Sequence, residues 1–215
     1  MIQHPPSERL VAMPMAALAG FVDAVAFLHL GGYFVSFMTG NTTRLGASIA
    51  EAEPQTWLPA FLILLFVAGV VAGTLLRQAV PARKPGWVMV LVTAMLLSAG
   101  LAAAAGHHWL AVVFLAIAMG AENTVFERNG EVSIGVTYMT GTLVKMGQHI
   151  AAALRGGSRT SWVWYALLWL GLALGAVMGA TAFLALGLGA IWIAAAASAI
   201  IAVLFFVPNL GIETA

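Results

Sequence analysis

Met38-Thr39-Gly40-Asn41-Thr42 and Met139-Thr140-Gly141-Thr142-Leu143 stand 101 positions apart, and their pairing decides how this chain is read. The same spacing sets Arg44 against Lys145, Leu45 against Met146 and Gly46 against Gly147. Upstream, Gly20-Phe21-Val22-Asp23 matches Gly120-Ala121-Glu122-Asn123 at a spacing of 100. Downstream, the Gly69–Gly73 pair matches Gly175–Gly179 at a spacing of 106. One Met-Thr-Gly match is chance-grade; an ordered series is the mark of a duplication. The two copies run over about 10–106 and about 109–208.

The surroundings of the motif are almost wholly apolar. Of 215 residues, 62% are hydrophobic and 8% are charged, against about 45–50% and about 25% in an ordinary soluble domain. Nine Lys and Arg with eight Asp and Glu cannot cover a water-facing surface. The apolar runs have helix-spanning length, longer than the roughly 10 alternating residues of a barrel strand. The expected fold is therefore all-α, a polytopic membrane helix bundle. The net charge of +1 and the lack of a basic run with interleaved aromatics set nucleic acid aside as a partner. With no Cys there are no disulfides, thiolate metal sites or Cys nucleophiles.

Six spans follow from the hydropathy: about 10–30, 57–76, 86–105, 109–126, 162–186 and 191–207, the last stopped by Pro208. The first carries Asp23 and has no basic segment before it, so it reads as a retained helix rather than a signal peptide. Intervals 31–53 and 127–161 are too polar for clean spans and too apolar for loops. Arg77, Arg83 and Lys84 on one side, with Arg128, Lys145, Arg155 and Arg159 on the same side, put both termini in the cytoplasm; Arg44 alone falls on the other side. Three crossings per copy is an odd number, so the second copy inserts upside down. Two inverted three-helix repeats, with broken helices at the Met-Thr-Gly motifs, are a common transporter plan, with the solute held between the repeats.

Within that plan the motif segments are the candidate solute site. Gly31-Gly32 can break the first helix, and Ser36, Thr39 and Asn41 are N-cap residue types. A second helix would start near 39–41, and its counterpart would run over about 143–154. Helix N-termini present unpaired N–H groups and a partial positive charge, which suit an anionic or dipolar solute. Thr39, Gly40, Asn41 and Arg44 from one copy, and Thr140, Gly141, Thr142 and Lys145 from the other, are thus the candidate solute contacts. Tight helix packing through Thr-Gly is the competing explanation, and for the two basic residues an interfacial, snorkelling position.

Asp23 lies inside the first span among Phe21, Val22, Ala24 and Val25. An acid there costs roughly 2.5–3.5 kcal/mol on insertion scales and usually faces the bundle interior. Asp23, His29, Glu122 and Asn123 are the candidates for ion or proton coupling, with a structural pairing as the alternative for each. Asp23, Arg44, Glu122, Glu127, Arg128 and Lys145 could not all sit isolated at mid-depth. That would cost roughly 15–20 kcal/mol, beyond a typical stability of about 5–15 kcal/mol. Several must pair, meet water or lie at the interface. His107-His108 reads as an outer turn, with no further metal ligands beside it, and no cofactor is called for. Small-residue ladders at 12/16/20/24, 171/175/179 and 190/194/198/202 allow close helix approach, within one chain or in a homodimer.

Gly20-Phe21-Val22-Asp23-Ala24, Ser36-Phe37-Met38-Thr39-Gly40-Asn41 and Thr137-Tyr138-Met139-Thr140-Gly141-Thr142-Leu143 together resemble the YoaK family, over nearly the whole chain. The resemblance implies a small multi-pass protein of the bacterial inner membrane, and it implies no substrate. The residues themselves favour a secondary transporter of a small polar or anionic solute, coupled to protons. A passive channel and a non-transporting accessory or assembly protein are the alternatives. No catalytic constellation points to an enzyme.

Overall fold

Gly31 and Gly32 end the first helix where the sequence places the break, with φ of 69° and 110° that side chains rarely adopt. The computed structural model describes residues 6–80, 84–128, 131–132 and 134–207. Eight helices make the body of the described chain: α1 (Pro6–His29), α2 (Met38–Ala50), α3 (Trp57–Ala79), α4 (Lys84–Ala104), α5 (His108–Glu122), α6 (Met139–Leu154), α7 (Val163–Leu186) and α8 (Ile191–Phe206). A single 3-10 turn, Gly187–Ala190, joins α7 to α8. A short antiparallel hairpin, β1 (Glu127–Arg128) with β2 (Glu131–Val132), follows α5.

Four segments are long and apolar enough to cross a membrane: Arg9–His29, Trp57–Ala79, Lys84–Ala104 and Val163–Phe206, the last comprising both α7 and α8. The expected fourth span is shorter than its hydropathy suggests. Helix α5 has 15 residues, about 22 Å at 1.5 Å per residue, against a hydrocarbon layer of about 30 Å. It stops four residues short of Phe126 because side chains near its end bind backbone carbonyls: Asn123 Nδ2 donates to Met119 O (2.9 Å) and Thr124 Oγ1 to Ala121 O (2.8 Å). Arg83 and Pro208, read above as a cytoplasmic-side charge and a helix stop, lie outside the described residues, as does the side chain of Arg128.

Two helix crossings organise the bundle. In the first, α1 and α7 run parallel with glycine against backbone: Gly175 meets Ala17 O, Gly179 meets Phe21 O, and Gly20 meets Leu172 O. In the second, α5 and α3 run parallel in the same way. Gly69 meets Ile117 O, Gly73 meets the backbone of Ala121, and Gly120 meets Phe66 O. Every residue of the second set is the repeat counterpart, by the spacings of 100 and 106, of a residue in the first. The expected ladders 12–24 and 171–179 thus pack on one another within a single chain. Helices α4 and α8 close the bundle, with Thr93 Oγ1 and Ser198 Oγ 2.8 Å apart across their interface.

Ring contacts fix the direction of each helix. His29 at the end of α1 lies beside His108 at the start of α5, with ring centroids 5.7 Å apart. The Trp57 and Trp109 rings, at the starts of α3 and α5, also lie 5.7 Å apart. At the opposite end, Arg9 of α1 lies over Trp164 of α7, and Trp87 of α4 meets Phe206 of α8. The counterpart helices α1 and α5 therefore point in opposite directions. In consequence α2 and α6 leave from opposite ends of the bundle, α2 packing on α3 and α6 on α7.

Glycine contact without room for a Cβ gives a direct test. Gly175→Leu and its counterpart Gly69→Leu should each cost at least about 1–3 kcal/mol by overpacking, seen as lost monodisperse protein and a lower Tm in detergent. Gly46→Leu, where an added Cβ meets nothing within 4 Å, should leave both unchanged.

Candidate functional site

The segment between α1 and α2 folds back on α1 because one carboxylate collects its donors. Asp23 Oδ1 accepts from the N–H groups of Val35 (2.8 Å) and Ser36 (2.9 Å), and Oδ2 accepts from Ser36 Oγ (2.9 Å). From the far side, Asn41 grips the same segment: Oδ1 accepts from Phe34 N–H (3.0 Å) and Nδ2 donates to Phe34 O (2.7 Å). Four backbone polar groups that a broken helix would strand are thereby satisfied. Asp23 is thus a latch for the turn, held by a Ser and two amides.

The expected side-chain caps are absent from the starts of α2 and α6. Phe37 and Tyr138, at matching positions, are the N-cap residues, and neither makes a side-chain cap hydrogen bond. Asn41 has instead turned back to the incoming segment. Helix α6 also starts earlier than expected, at Met139 rather than near 143.

In the second copy the latch has the same places and different chemistry. Asn123 stands where Asp23 does, and its Oδ1 accepts from Thr137 Oγ1 (2.8 Å). Thr142 replaces Asn41 and bonds only one turn back, to Tyr138 O (3.2 Å). Beside Asn123, Glu122 is completely buried, and neither carboxylate oxygen has a hydrogen-bond partner among the described residues. Four to five residues on, the hairpin is tied to α3: Arg77 donates to Val125 O and Glu127 O, each at 2.8 Å, and Thr74 Oγ1 donates to Glu127 Oε2 (3.2 Å). Arg77, counted from sequence among the charges outside the second span, is buried inside α3, holding the chain where α5 ends.

The two motif helices do not meet. Thr39, Thr42 and Arg44 on α2, and Thr140, Gly141 and Lys145 on α6, are exposed, and a Cβ at Gly141 would touch nothing within 4 Å. Gly40 is packed against Phe34 and Phe37, and the Arg44 guanidinium lies 5.5 Å from the Tyr33 ring centroid, back over the helix break. The expected shared pocket between the motifs is not formed, since the helices leave from opposite ends. Between α1, α5 and α8, Phe21, Val22, Val25, Leu115, Ile191 and Ala194 line an apolar seam with no room for a water molecule. A cavity of about 510 Å³ opens at the end where α1 stops and is lined by His29, Gln55, Trp57, His108 and Trp109. His29, expected as a coupling group, belongs to this cavity. Trp57 and Trp109, distant from His29 in the sequence, come beside it only in the fold. Among the described residues no group of three or more His, Asp or Glu could hold a metal ion.

A bundle of apolar helices with buried polar latches at broken helices defines a polytopic membrane protein. The chain matches, over residues 11–204, the family described as Protein of unknown function (DUF1275), and it belongs to that family. It is 33% identical over 194 residues to the UPF0700 transmembrane protein RA0705 of Rhizobium meliloti (strain 1021), spanning 89% of this chain and 84% of that one. It is 29% identical over 147 residues to the UPF0700 transmembrane protein YoaK of Bacillus subtilis (strain 168), spanning 63% and 64%. The resemblance to the YoaK family drawn from the motifs therefore holds. No solved structure matches the chain.

Removing the latch should loosen one turn selectively. Asp23→Ala leaves the Val35 and Ser36 amides without an acceptor, at about 1–3 kcal/mol each, whereas Asp23→Asn keeps an acceptor oxygen, as Asn123 does. Hydrogen exchange should speed at those two amides far more in the Ala variant, with a larger fall in Tm. Unchanged protection would show that Asp23 does not hold the turn.

Proposed function

We propose that this chain is a secondary transporter of a small polar or anionic solute, coupled to protons. It works as a multi-pass protein of the bacterial inner membrane, with six crossings, both termini cytoplasmic and no enzymatic role. One observation carries the reading. The α1–α7 and α3–α5 crossings correspond residue by residue, while α1 and α5 point in opposite directions. That is the arrangement two inverted repeats produce, and it favours alternating access between two related states.

The interfaces that such a repeat would make equal are unequal here. Helix α5 packs broadly on α4, and its counterpart α1 packs over a smaller area on α8, along the apolar seam at Phe21, Val22 and Ile191. Two related interfaces, one broad and one narrow, are the difference that a rocking motion would exchange. The motif residues then serve two entrances rather than one central pocket. Thr39, Gly40, Asn41 and Arg44 stand at one end, and Thr140, Gly141, Thr142 and Lys145 at the other, each with a base to attract an anion. The coupling candidates divide as well: Asp23 and Asn123 hold the turns, His29 lines the wide cavity, and Glu122 remains free for a proton.

The dry, apolar seam between α1, α5 and α8 favours a second reading, a non-transporting assembly partner. Reconstituted protein separates the two. Transport predicts solute-dependent proton flux, read by a pH-sensitive dye, that falls to background in Glu122→Gln. No flux with any solute of a broad panel, together with a stable complex on mild extraction, would favour the partner role.

Orientation has its own test, made simple because the chain has no Cys. In cells whose outer barrier is removed, an impermeant maleimide should label Gln55→Cys directly and Arg159→Cys only after permeabilisation. Labelling of both from the same side would end the inverted arrangement.

A further inference from the structure

Glu122 is the last residue of α5, fully buried, with both oxygens unpartnered. An isolated carboxylate in such a place would forfeit its hydration with nothing in return, and the usual resolution is to carry a proton. The charged and titratable groups on the elements around it are engaged or distant along the chain. On α3, Arg77 donates to Val125 O and Glu127 O. On α4, Lys84 is exposed. On α1, Asp23 accepts from Val35 and Ser36, Arg9 lies over Trp164, and His29 sits with His108 at the opposite end of α5. In the hairpin, Glu127 accepts from Thr74. None of these described side chains hydrogen-bonds to Glu122.

The position adds a second argument. Glu122 lies between the α3–α5 contact, where Gly73 meets Ala121, and the Asn123–Thr137 latch. Its counterpart by the spacing of 100 is Val22, which lies in the apolar seam between α1, α5 and α8. A carboxyl has therefore been set at one of two equivalent places, at an end of α5 stopped by side-chain hydrogen bonds rather than by a rigid break. We propose that Glu122 is the proton-carrying site of this protein, a neutral carboxylic acid in this conformation that releases its proton when that end of α5 opens to water. The word "coupling" rests on the transport reading; proton occupancy of the site does not.

Infrared spectroscopy of the full-length protein in lipid reads that occupancy directly. At neutral pH the spectrum should contain the C=O stretch of a carboxylic acid free of hydrogen bonds. The band should vanish in Glu122→Gln and persist in Asp23→Asn. Should Glu122→Gln fail to fold, carboxyl-13C glutamate incorporated into the unaltered chain should shift the band. Dicyclohexylcarbodiimide gives a chemical check: the protonated carboxyl adds its O–H across one C=N bond, the proton passing to nitrogen with no leaving group. Peptide mass spectrometry should find the adduct at Glu122, declining as the labelling pH is raised. No free-acid band, a band insensitive to labelled glutamate, or a band that survives Glu122→Gln would overturn the assignment. A band with these properties in protein that moves no solute would leave the proton site standing and remove only the transport reading.

Discussion

Backbone lying directly on backbone at the glycine crossings is the contact on which the rest of this structure depends. Lipid tails are as apolar as Leu, so burying side chains does little to drive helices together in a bilayer. Association comes from dispersion and short polar contacts, which require close approach. Gly20, Gly175 and Gly179 let α1 and α7 come close enough for the carbonyls of Ala17, Phe21 and Leu172 to meet the neighbouring chain. Gly69, Gly73 and Gly120 do the same for α5 and α3. With those distances set, Asp23 reaches the 35–36 amides and Arg77 reaches the chain beyond α5.

The two latches occupy matching places and use different chemistry. Asp23 accepts three hydrogen bonds from the segment it holds. Asn123 accepts one from Thr137 and uses its amide N–H on its own helix. Both solutions satisfy polar groups that hydrocarbon would penalise severely. Next to the Asn123 latch, the chain is also tied down by Arg77, through the carbonyls of Val125 and Glu127. The second copy's spare acid, Glu122, is the one ionisable group among these that takes no part in holding the turn.

Much of this was legible in the sequence, for reasons that can be named. Long apolar runs marked α1, α3, α4 and α7 within a few residues, since spanning length is set by bilayer thickness. Paired motifs located α2 and α6, and the glycine spacings marked the contact stripes. What the residues could not reveal was where side chains turn. Asn41 has the composition of a cap and grips Phe34 instead; Arg77 looks like a loop charge and is buried by the carbonyls it serves. The end of α5 was hidden because Asn123 and Thr124 interrupt a helix that hydropathy alone would continue. The two motif segments form no common pocket because α1 and α5 point in opposite directions and send α2 and α6 to opposite ends.

The two crossings also differ in when they can be made. The α3–α5 contact joins helices separated by one other span, whereas α1 must find α7, which is made after five intervening helices. Identical geometry is thus reached by a short chain closure in one case and a long one in the other. Until α7 arrives, the Ala12-Ala16-Gly20 face of α1 has no mate, and a chaperone, an insertase or lipid must shield it. Truncation before α7 would strip the first helix of its companion while sparing the second pair, so nascent chains of increasing length should acquire protease resistance from the middle outward.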